Sequence, residues 1–580
     1  MKRKRQIVSI LFSILFLSLS ACTLLGDGHV HTFSNEWTYD SSYHWHKATC
    51  GHDVIKSKAE HTFGEWTEVI KATETKPGRK IRSCSICGYE DDVITSISNN
   101  NPPSGETVSL DIYATNDLHG QIESDGSRMS IATLGTFMKE KGQEANTLLL
   151  DQGDSWQGSI YSNHNRGALV NDVMSIAHYD ARTIGNHDFD WGIEALKANT
   201  VREYNDYTIP VLAANVYDYD FKNKIEGNVQ QSDIGQKTIS YTLENGLKVG
   251  IVGVIGQDQI TSITSSYVQN ICFKDHIPII KQEATNLRNS GCDIVIACVH
   301  SGQESVMYNG LNNYVDLVLC GHTHRNEISN EGNLYYAQFG SYGYSVGHIQ
   351  LTFDLGSRKV TKTDIESLSK YQIENSISSI DSDISSVVNQ YTSQCSTEAE
   401  VVLANYVTSA FSSGESAANL MCKAIMERCE MEGFDDVILS YCNTARKVLP
   451  YGTWTYADIY NSFPFDNTVY IVNIKGSDIL KEVKSYNNVC FASSFDYQID
   501  PNEYYQIACL DYLLYHTNND RYYNYFTSFT GETIGQLSDN YRLILRSYLL
   551  SNGYNNGKEL RASDFSSSLD LYNGSLLEEI

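Results

Sequence analysis

Positive charge is scarce in this chain of 580 residues: 43 lysines and arginines stand against 70 aspartates and glutamates, a formal net charge of −27. So acidic a surface repels polyanions, which argues against nucleic-acid polymers as partners and against electrostatic attachment to a membrane. Long apolar runs are lacking as well. Beyond the first 21 residues no stretch is long and apolar enough for a transmembrane helix. Nor do the 14 cysteines read as a disulfide framework. Cys292, Cys298 and Cys320 sit in apolar strand-like runs where a reduced, buried thiol is expected, and no pairing is assigned.

What is present begins with Lys2-Arg3-Lys4-Arg5, an apolar stretch from Ile7 to Leu19, and Leu19-Ser20-Ala21-Cys22. Residues 1–21 read as a secretory signal. The small residues before Cys22 resemble a bacterial lipobox, so the chain is expected to be exported and lipid-anchored through Cys22 to the outer face of the cell membrane. Loss of the four basic leader residues takes the net charge to −31.

Residues 22–97 differ from the rest. His31-Thr32-Phe33 followed by Trp37 is repeated as His61-Thr62-Phe63 followed by Trp66, with His44, His46, Cys50, His52 and Cys84-Ser85-Ile86-Cys87-Gly88 among and after them. This resembles a small zinc ribbon, in which a structural zinc stabilises a segment too short to build its own core. The alternative is a β-rich surface module whose histidines and tryptophans pack or lie exposed. A protein partner for this module is not legible. Residues 98–106, with Asn99-Asn100-Asn101-Pro102-Pro103-Ser104-Gly105, read as a linker.

Five later blocks carry the chemistry: Asn116-Asp117-Leu118-His119-Gly120, Gly153-Asp154-Ser155, Gly185-Asn186-His187-Asp188-Phe189-Asp190, Val299-His300-Ser301-Gly302 and Gly321-His322-Thr323-His324. Each follows a run that reads as a buried strand: Val108 to Ala114, Thr147 to Leu150, Arg182 to Ile184, Ile294 to Val299 and Val315 to Leu319. Loops beyond the carboxyl ends of such strands converge on one site. Asp117 and His119 are two residues apart, as are His322 and His324, so in extended backbone each pair is expected to point one way. The ligand set of two aspartates, four histidines and one asparagine, without thiolate, suits zinc, manganese or another first-row transition metal. Seven side chains exceed the need of one tetrahedral ion, and two ions sharing Asp154 would use them all. The metals would also supply the local positive charge that a small phosphorylated substrate requires.

These blocks resemble those of the calcineurin-like dinuclear metallophosphoesterases, in the 5'-nucleotidase branch that includes periplasmic UDP-sugar hydrolases and ecto-5'-nucleotidase. The resemblance implies an α/β fold: a four-layer αββα sandwich over residues 107–367, a linker helix over 368–396 and an α+β substrate-binding domain over 397–580, preceded by the Cys/His-rich β module. It implies one metal held by Asp117, His119, Asp154 and His324, the other by Asp154, Asn186, His300 and His322, with His187 and Asp190 as a catalytic dyad. It further implies hydrolysis of nucleotides by a metal-bridging hydroxide. A 2',3'-cyclic-nucleotide phosphodiesterase or UDP-sugar hydrolase would use the same centre. From another class, a zinc-scavenging or adhesive surface lipoprotein would use the N-terminal module instead.

The stripe Ile373, Ile377, Ile380, Ile384, Val387 and Tyr391 predicts an amphipathic connector helix. In the second half, Glu415-Ser416-Ala417-Ala418-Asn419-Leu420 resembles the family's opening helix, with Ser412 where an arginine is usual. Asn443-Thr444-Ala445-Arg446 stands at a substrate loop, and Arg446 keeps a guanidinium for phosphate or carboxylate. Phe463-Pro464-Phe465-Asp466-Asn467 and Asp511-Tyr512-Leu513-Leu514 resemble the segments that stack a nucleobase, which assigns that role to Phe465 and Tyr512. Asp520, in an altered loop, is assigned to ribose hydroxyls.

Overall fold

Alternation of apolar residues between two faces builds both central sheets of this computed structural model, which describes residues 30–39, 43–50, 54–71, 78–95, 105–414, 416–485, 489–493, 499–514 and 526–565. The leader, Cys22, most of the linker, Glu415 and Asp520 lie outside the described residues. The chain divides into two compact units, Met1–Ser98 and Asn99–Ile580.

The first unit consists of two three-stranded antiparallel sheets, one of Thr38–Tyr39, Tyr43–Lys47 and Ile55–Glu60, the other of Thr67–Ile70, Gly78–Ser83 and Glu90–Thr95.

In the second unit one six-stranded sheet runs Val211–Leu212, Ala181–Thr183, Thr147–Asp151, Thr107–Thr115, Ser345–Asp354, Lys359–Ser369. The other runs Thr238–Thr242, Lys248–Ile255, Ile294–His300, Leu317–Cys320, Leu334–Phe339, Asn326–Glu331. The strands that precede the five motif blocks run parallel to one another within each sheet, so their carboxyl ends share one edge. Leu110, Ile112, Leu148 and Leu150 of the first sheet interdigitate with Ile251, Ile294, Ile296 and Leu319 of the second. The alternate residues face helices. Leu149 joins the cluster with Leu134, Phe137, Val170 and Val173, while Val252, Val295, Ala297 and Val318 pack on Ile280, Ala284 and Leu287 of helix His276–Asn289. The result is the expected four-layer αββα sandwich.

The C-terminal part holds a five-stranded sheet in the order Val489–Ser493, Val437–Asn443, Tyr504–Leu510, Thr468–Lys475, Gly535–Asn540, packed by helices Ser416–Met431 and Tyr541–Ser551. Ser412 and Ser416 bond each other at the start of the first of these helices. Cys292, Cys298 and Cys320 are buried and unbridged. No helix among the described residues is long and apolar enough to cross a membrane.

The connector departs from expectation. Its stripe divides between helices Lys370–Ser376 and Ser382–Ala399, because Asp381 breaks the first pattern and caps the second, accepting from Asp383 N at 3.0 Å and Ile384 N at 3.2 Å. Ile373, Ile384 and Val387 are buried, whereas Ile380, in the break, is exposed. Asp381 also meets Lys139 Nζ at 2.7 Å. Burial acts to raise the Asp381 carboxyl, but Lys139 and the two amides outweigh it and hold it below its ordinary value. Asp381→Ala is therefore expected to lower stability at neutral pH by about 1 kcal/mol. A depressed carboxyl stabilises above its unfolded value and loses that stability as pH falls through the folded one, so the wild-type advantage in urea unfolding should vanish in strong acid.

Candidate metal centre and substrate cavity

Each ligand candidate sits at or just past a strand's carboxyl end, and His300 is still within its strand, but five of the seven are not in extended backbone. Asp117, His119, Asp154, His322 and His324 all have φ between 47° and 74°. Left-handed conformation costs a non-glycine residue about 1–3 kcal/mol. Its concentration in these five residues marks the loops as held in place by their surroundings. It also overturns the expectation of paired directions. Asp117 and His119 do meet, in one cluster with His324, but His322 turns away from its neighbour to join Asp154 and His300.

Between the two clusters Asp154 Oδ2 lies 3.2 Å from His300 Nε2 and 3.9 Å from His119 Nε2. Asn186 Oδ1 is 3.1 Å from His300 Nε2 and 2.9 Å from His322 Nδ1, and its buried amide nitrogen has no hydrogen-bond partner. His119 Nε2 faces His324 Nε2 at 2.9 Å. The orientation of two rings follows from their other nitrogens. His119 Nδ1 lies 3.1 Å from the Gln157 carbonyl and His300 Nδ1 lies 2.7 Å from that of Gln152. A carbonyl only accepts, so each Nδ1 carries a proton, and Nε2 is the nitrogen left to present a lone pair inward once a metal replaces any second proton.

The electrostatics demand a cation. Burial pushes Asp117 up to about 7, opposed by His300 and reinforced by Asp154. Burial acts to lower His300, yet Asp154 and Asp117 raise it to about 9. Two buried carboxylates thus recruit a proton wherever no other positive charge is at hand. Burial together with neighbouring positive groups takes His322 down to about 3 and His324 down to about 4, so both stay neutral, as ligands must. Inward lone pairs, carboxylate oxygens and an amide oxygen form an all-N,O donor set that fits divalent ions.

Residues that the motif reading missed hold this set. Asp151 accepts from Thr115 Oγ1 at 2.8 Å, Ser155 Oγ at 2.6 Å and Gly153 N at 3.0 Å, fixing the turn that carries Asp154. Fully buried Arg182 spans Asp151 and Asp188, and its guanidinium lies 3.6 Å from the Trp156 ring centroid. Tyr342 lies against the rings of His119 and His324 at 5.0 and 5.5 Å. Gly185 has no room for a side chain, since a Cβ there would strike the Asp154 carboxylate.

His187 lies in a one-turn helix, Asn186–Phe189, and its Nδ1 is 2.8 Å from Asp190 Oδ2. Its Nε2 contacts an Arg446 guanidinium nitrogen. Beyond it lies a cavity of ≈ 580 Å³ between the two halves of this unit, lined by Asn186, His187, Asp190 and His322 on one side and Asn443, Arg446, Phe465 and Tyr512 on the other. Phe465 stacks on the His187 ring, centroids 5.4 Å apart and planes at 26°, with the Arg446 guanidinium 5.1 Å from its centroid. The structure thus brings every described candidate to one place. Trp191, Tyr267 and Asp511 also line the cavity and were not singled out from sequence. Arg542, buried in helix Tyr541–Ser551, donates to the carbonyls of Phe463 at 3.1 Å and Phe465 at 2.6 Å and pairs with Asp466 at 2.5 Å, so it sets the stacking loop.

Residues 110–326 match the calcineurin-like phosphoesterase family and residues 387–556 match the 5'-nucleotidase, C-terminal domain. The chain is 30% identical over 280 residues to the 5'-nucleotidase of Diplobatis ommata, covering 43% of this chain and 46% of that protein. It is 24% identical over 420 residues to the trifunctional nucleotide phosphoesterase protein YfkN of Bacillus subtilis (strain 168), covering 66% and 28%. The matches therefore span less than half the length of both curated relatives. The 5'-nucleotidase precursor of Thermus thermophilus shares the fold, with a TM-score of 0.65 at 17% identity over 78% of this chain and 97% of that one.

Gly185→Ala is expected to displace Asp154 and to lower bound metal per chain, read by elemental analysis after dialysis, while far-UV circular dichroism stays unchanged. Full metal retention would show that the loop yields without moving the carboxylate.

Proposed function

The chain belongs to the 5'-nucleotidase family of calcineurin-like phosphoesterases, and from that premise we propose that it is an exported hydrolase that removes phosphate from nucleotides. The observation that carries this reading is one cavity lined by metal-ligand candidates, the His187–Asp190 pair, Arg446 and two aromatic rings. Asp117, His119, Asp154 and His324 would hold one divalent ion, and Asp154, Asn186, His300 and His322 the second. Two such ions supply a nucleophile at neutral pH and neutralise phosphoryl charge.

The chain's own groups do the rest. Asp190 holds the Nδ1 proton of His187, so Nε2 points into the cavity. Protonated there, it donates to a phosphoryl or leaving-group oxygen as negative charge develops. Arg446 contacts the same nitrogen and is placed to transfer its guanidinium to an arriving phosphate. Phe465 and Tyr512 would grip the base, each stack contributing about 1–3 kcal/mol. Asn443 completes the substrate loop, and Asp520 is proposed for the ribose. Export and lipid attachment at Cys22 rest on the leader pattern and would place the reaction outside the cell membrane.

Phosphate release should occur from a panel of nucleoside monophosphates, stop with chelator and return with zinc or manganese. Turnover confined to cyclic nucleotides or nucleotide sugars would reassign the substrate, and no metal-dependent turnover on any member would remove the proposal. His187→Ala should lower kcat by about 10²–10⁴-fold with both ions retained. Phe465→Ala should act differently, raising KM about 5- to 150-fold with the loss of one stack.

A further inference from the structure

Among the side chains described, the N-terminal unit shows no hydrophobic core. Of the residues whose side chains are described there, only His44 and Cys84 are buried, at 1% and 2% exposure, while Val30, Tyr39, Ile55, Trp66, Val69 and Ile86 are exposed. Two three-stranded sheets of this size do not hold together on backbone pairing alone. The two buried side chains described, a histidine and a cysteine, are both metal-ligand types.

His44 comes from the central strand of the first sheet, Tyr43–Lys47, and His61 from the segment between the sheets. Cys84 and Cys87 flank the turn between the last two strands of the second sheet. Their four ligand atoms all lie within 4.8 Å of one another. Cys84 Sγ is 3.8 Å from His44 Nδ1, and Cys87 Sγ is 3.4 Å from His61 Nδ1. Zinc–sulfur and zinc–nitrogen bonds at the tetrahedral angle put sulfur and nitrogen about 3.6 Å apart. The two observed separations bracket that edge. We propose that His44, His61, Cys84 and Cys87 bind one structural zinc ion, which joins the two sheets in place of an apolar core.

The local structure is built for such an ion. Gly88 takes φ +77°, its N–H donates to the Cys84 carbonyl at 3.0 Å, and Tyr89 N donates to Cys87 Sγ at 3.5 Å, folding the Cys-x-x-Cys-Gly segment so that both sulfurs face one point. Aromatic rings fix both imidazoles. Trp37 meets His44 edge-on at 4.6 Å, and Tyr89 stacks on His61 at 4.6 Å and 18°. The donor set of two thiolates and two imidazoles favours zinc, and differs from the all-N,O set of the catalytic centre in holding sulfur. This site is independent of the proposed hydrolysis, and its test reads a signal that the hydrolytic centre cannot give.

That signal is thiolate-to-metal charge transfer in the full chain loaded with cobalt(II), because none of the catalytic ligand candidates is a cysteine. The absorption should be present in the wild type, persist in His119→Ala/His300→Ala and disappear in Cys84→Ser/Cys87→Ser. The cysteine variant should also carry one zinc fewer per chain and keep nucleotide hydrolysis within about twofold. In the unaltered zinc-loaded chain Cys84 and Cys87 should resist alkylation until a chelator is added, a reading that needs no variant to fold. Absence of the charge-transfer band in the wild type, its survival in the double cysteine variant, or a Cys84–Cys87 disulfide in the intact non-reduced chain would overturn the proposal.

Discussion

Two carboxylates, Asp117 and Asp154, are buried almost completely at the edge shared by two sheets, and the surrounding structure follows from keeping them there. Neither is tolerable in a dry site without a counter-charge. The loops answer by turning five side chains inward through left-handed backbone, at a local cost that only a rigid scaffold sustains. Behind them a second, fully enclosed charge system of Asp151, Arg182 and Asp188 ties the same loops to the strands. The sandwich supplies the rigidity, since its apolar middle layer locks the register of both sheets against each other.

The second half of the unit is organised around a different demand, which is to bring a loop with a ring and a guanidinium up to that edge. Arg542 gathers the carbonyls of Phe463 and Phe465, and the strand ending at Asn443 carries Arg446 just beyond it. The connector helix Ser382–Ala399 packs on helices of both halves. Gln157 and Asn163 of the sandwich reach the Pro464 carbonyl at 3.3 and 3.0 Å, so the aromatic loop is referenced to the metal loops by direct hydrogen bonds.

Much of this was legible in the chain because the motif residues follow buried strands whose apolar runs are unambiguous. Thr107–Thr115, Thr147–Asp151 and Ile294–His300 fall within one or two residues of their expected positions. The direction of the side chains was not legible. A two-residue spacing implies one direction only while backbone stays extended, and the left-handed turns at His322 and His324 send those rings to different clusters. Asp381 was hidden for a related reason, since an apolar stripe does not record where a cap interrupts the helix, and Ile380 in that break is exposed. Arg182, Arg542 and Tyr342 escaped notice because their roles depend on partners distant in the chain. The N-terminal ligand set was ambiguous until the fold chose four of the available histidines and cysteines.

The contact between Arg446 and His187 gives the guanidinium a resting partner. A small inorganic anion entering the cavity competes with an interaction the protein already makes, and gains only the difference between the two. On the proposed function a nucleotide would bring a ring for the aromatic side chains together with its phosphate, and so would add stacking to whatever its phosphate gains in displacing that internal contact. The difference between substrate and product at this point would then lie in the aromatic ring and not in the size of the opening.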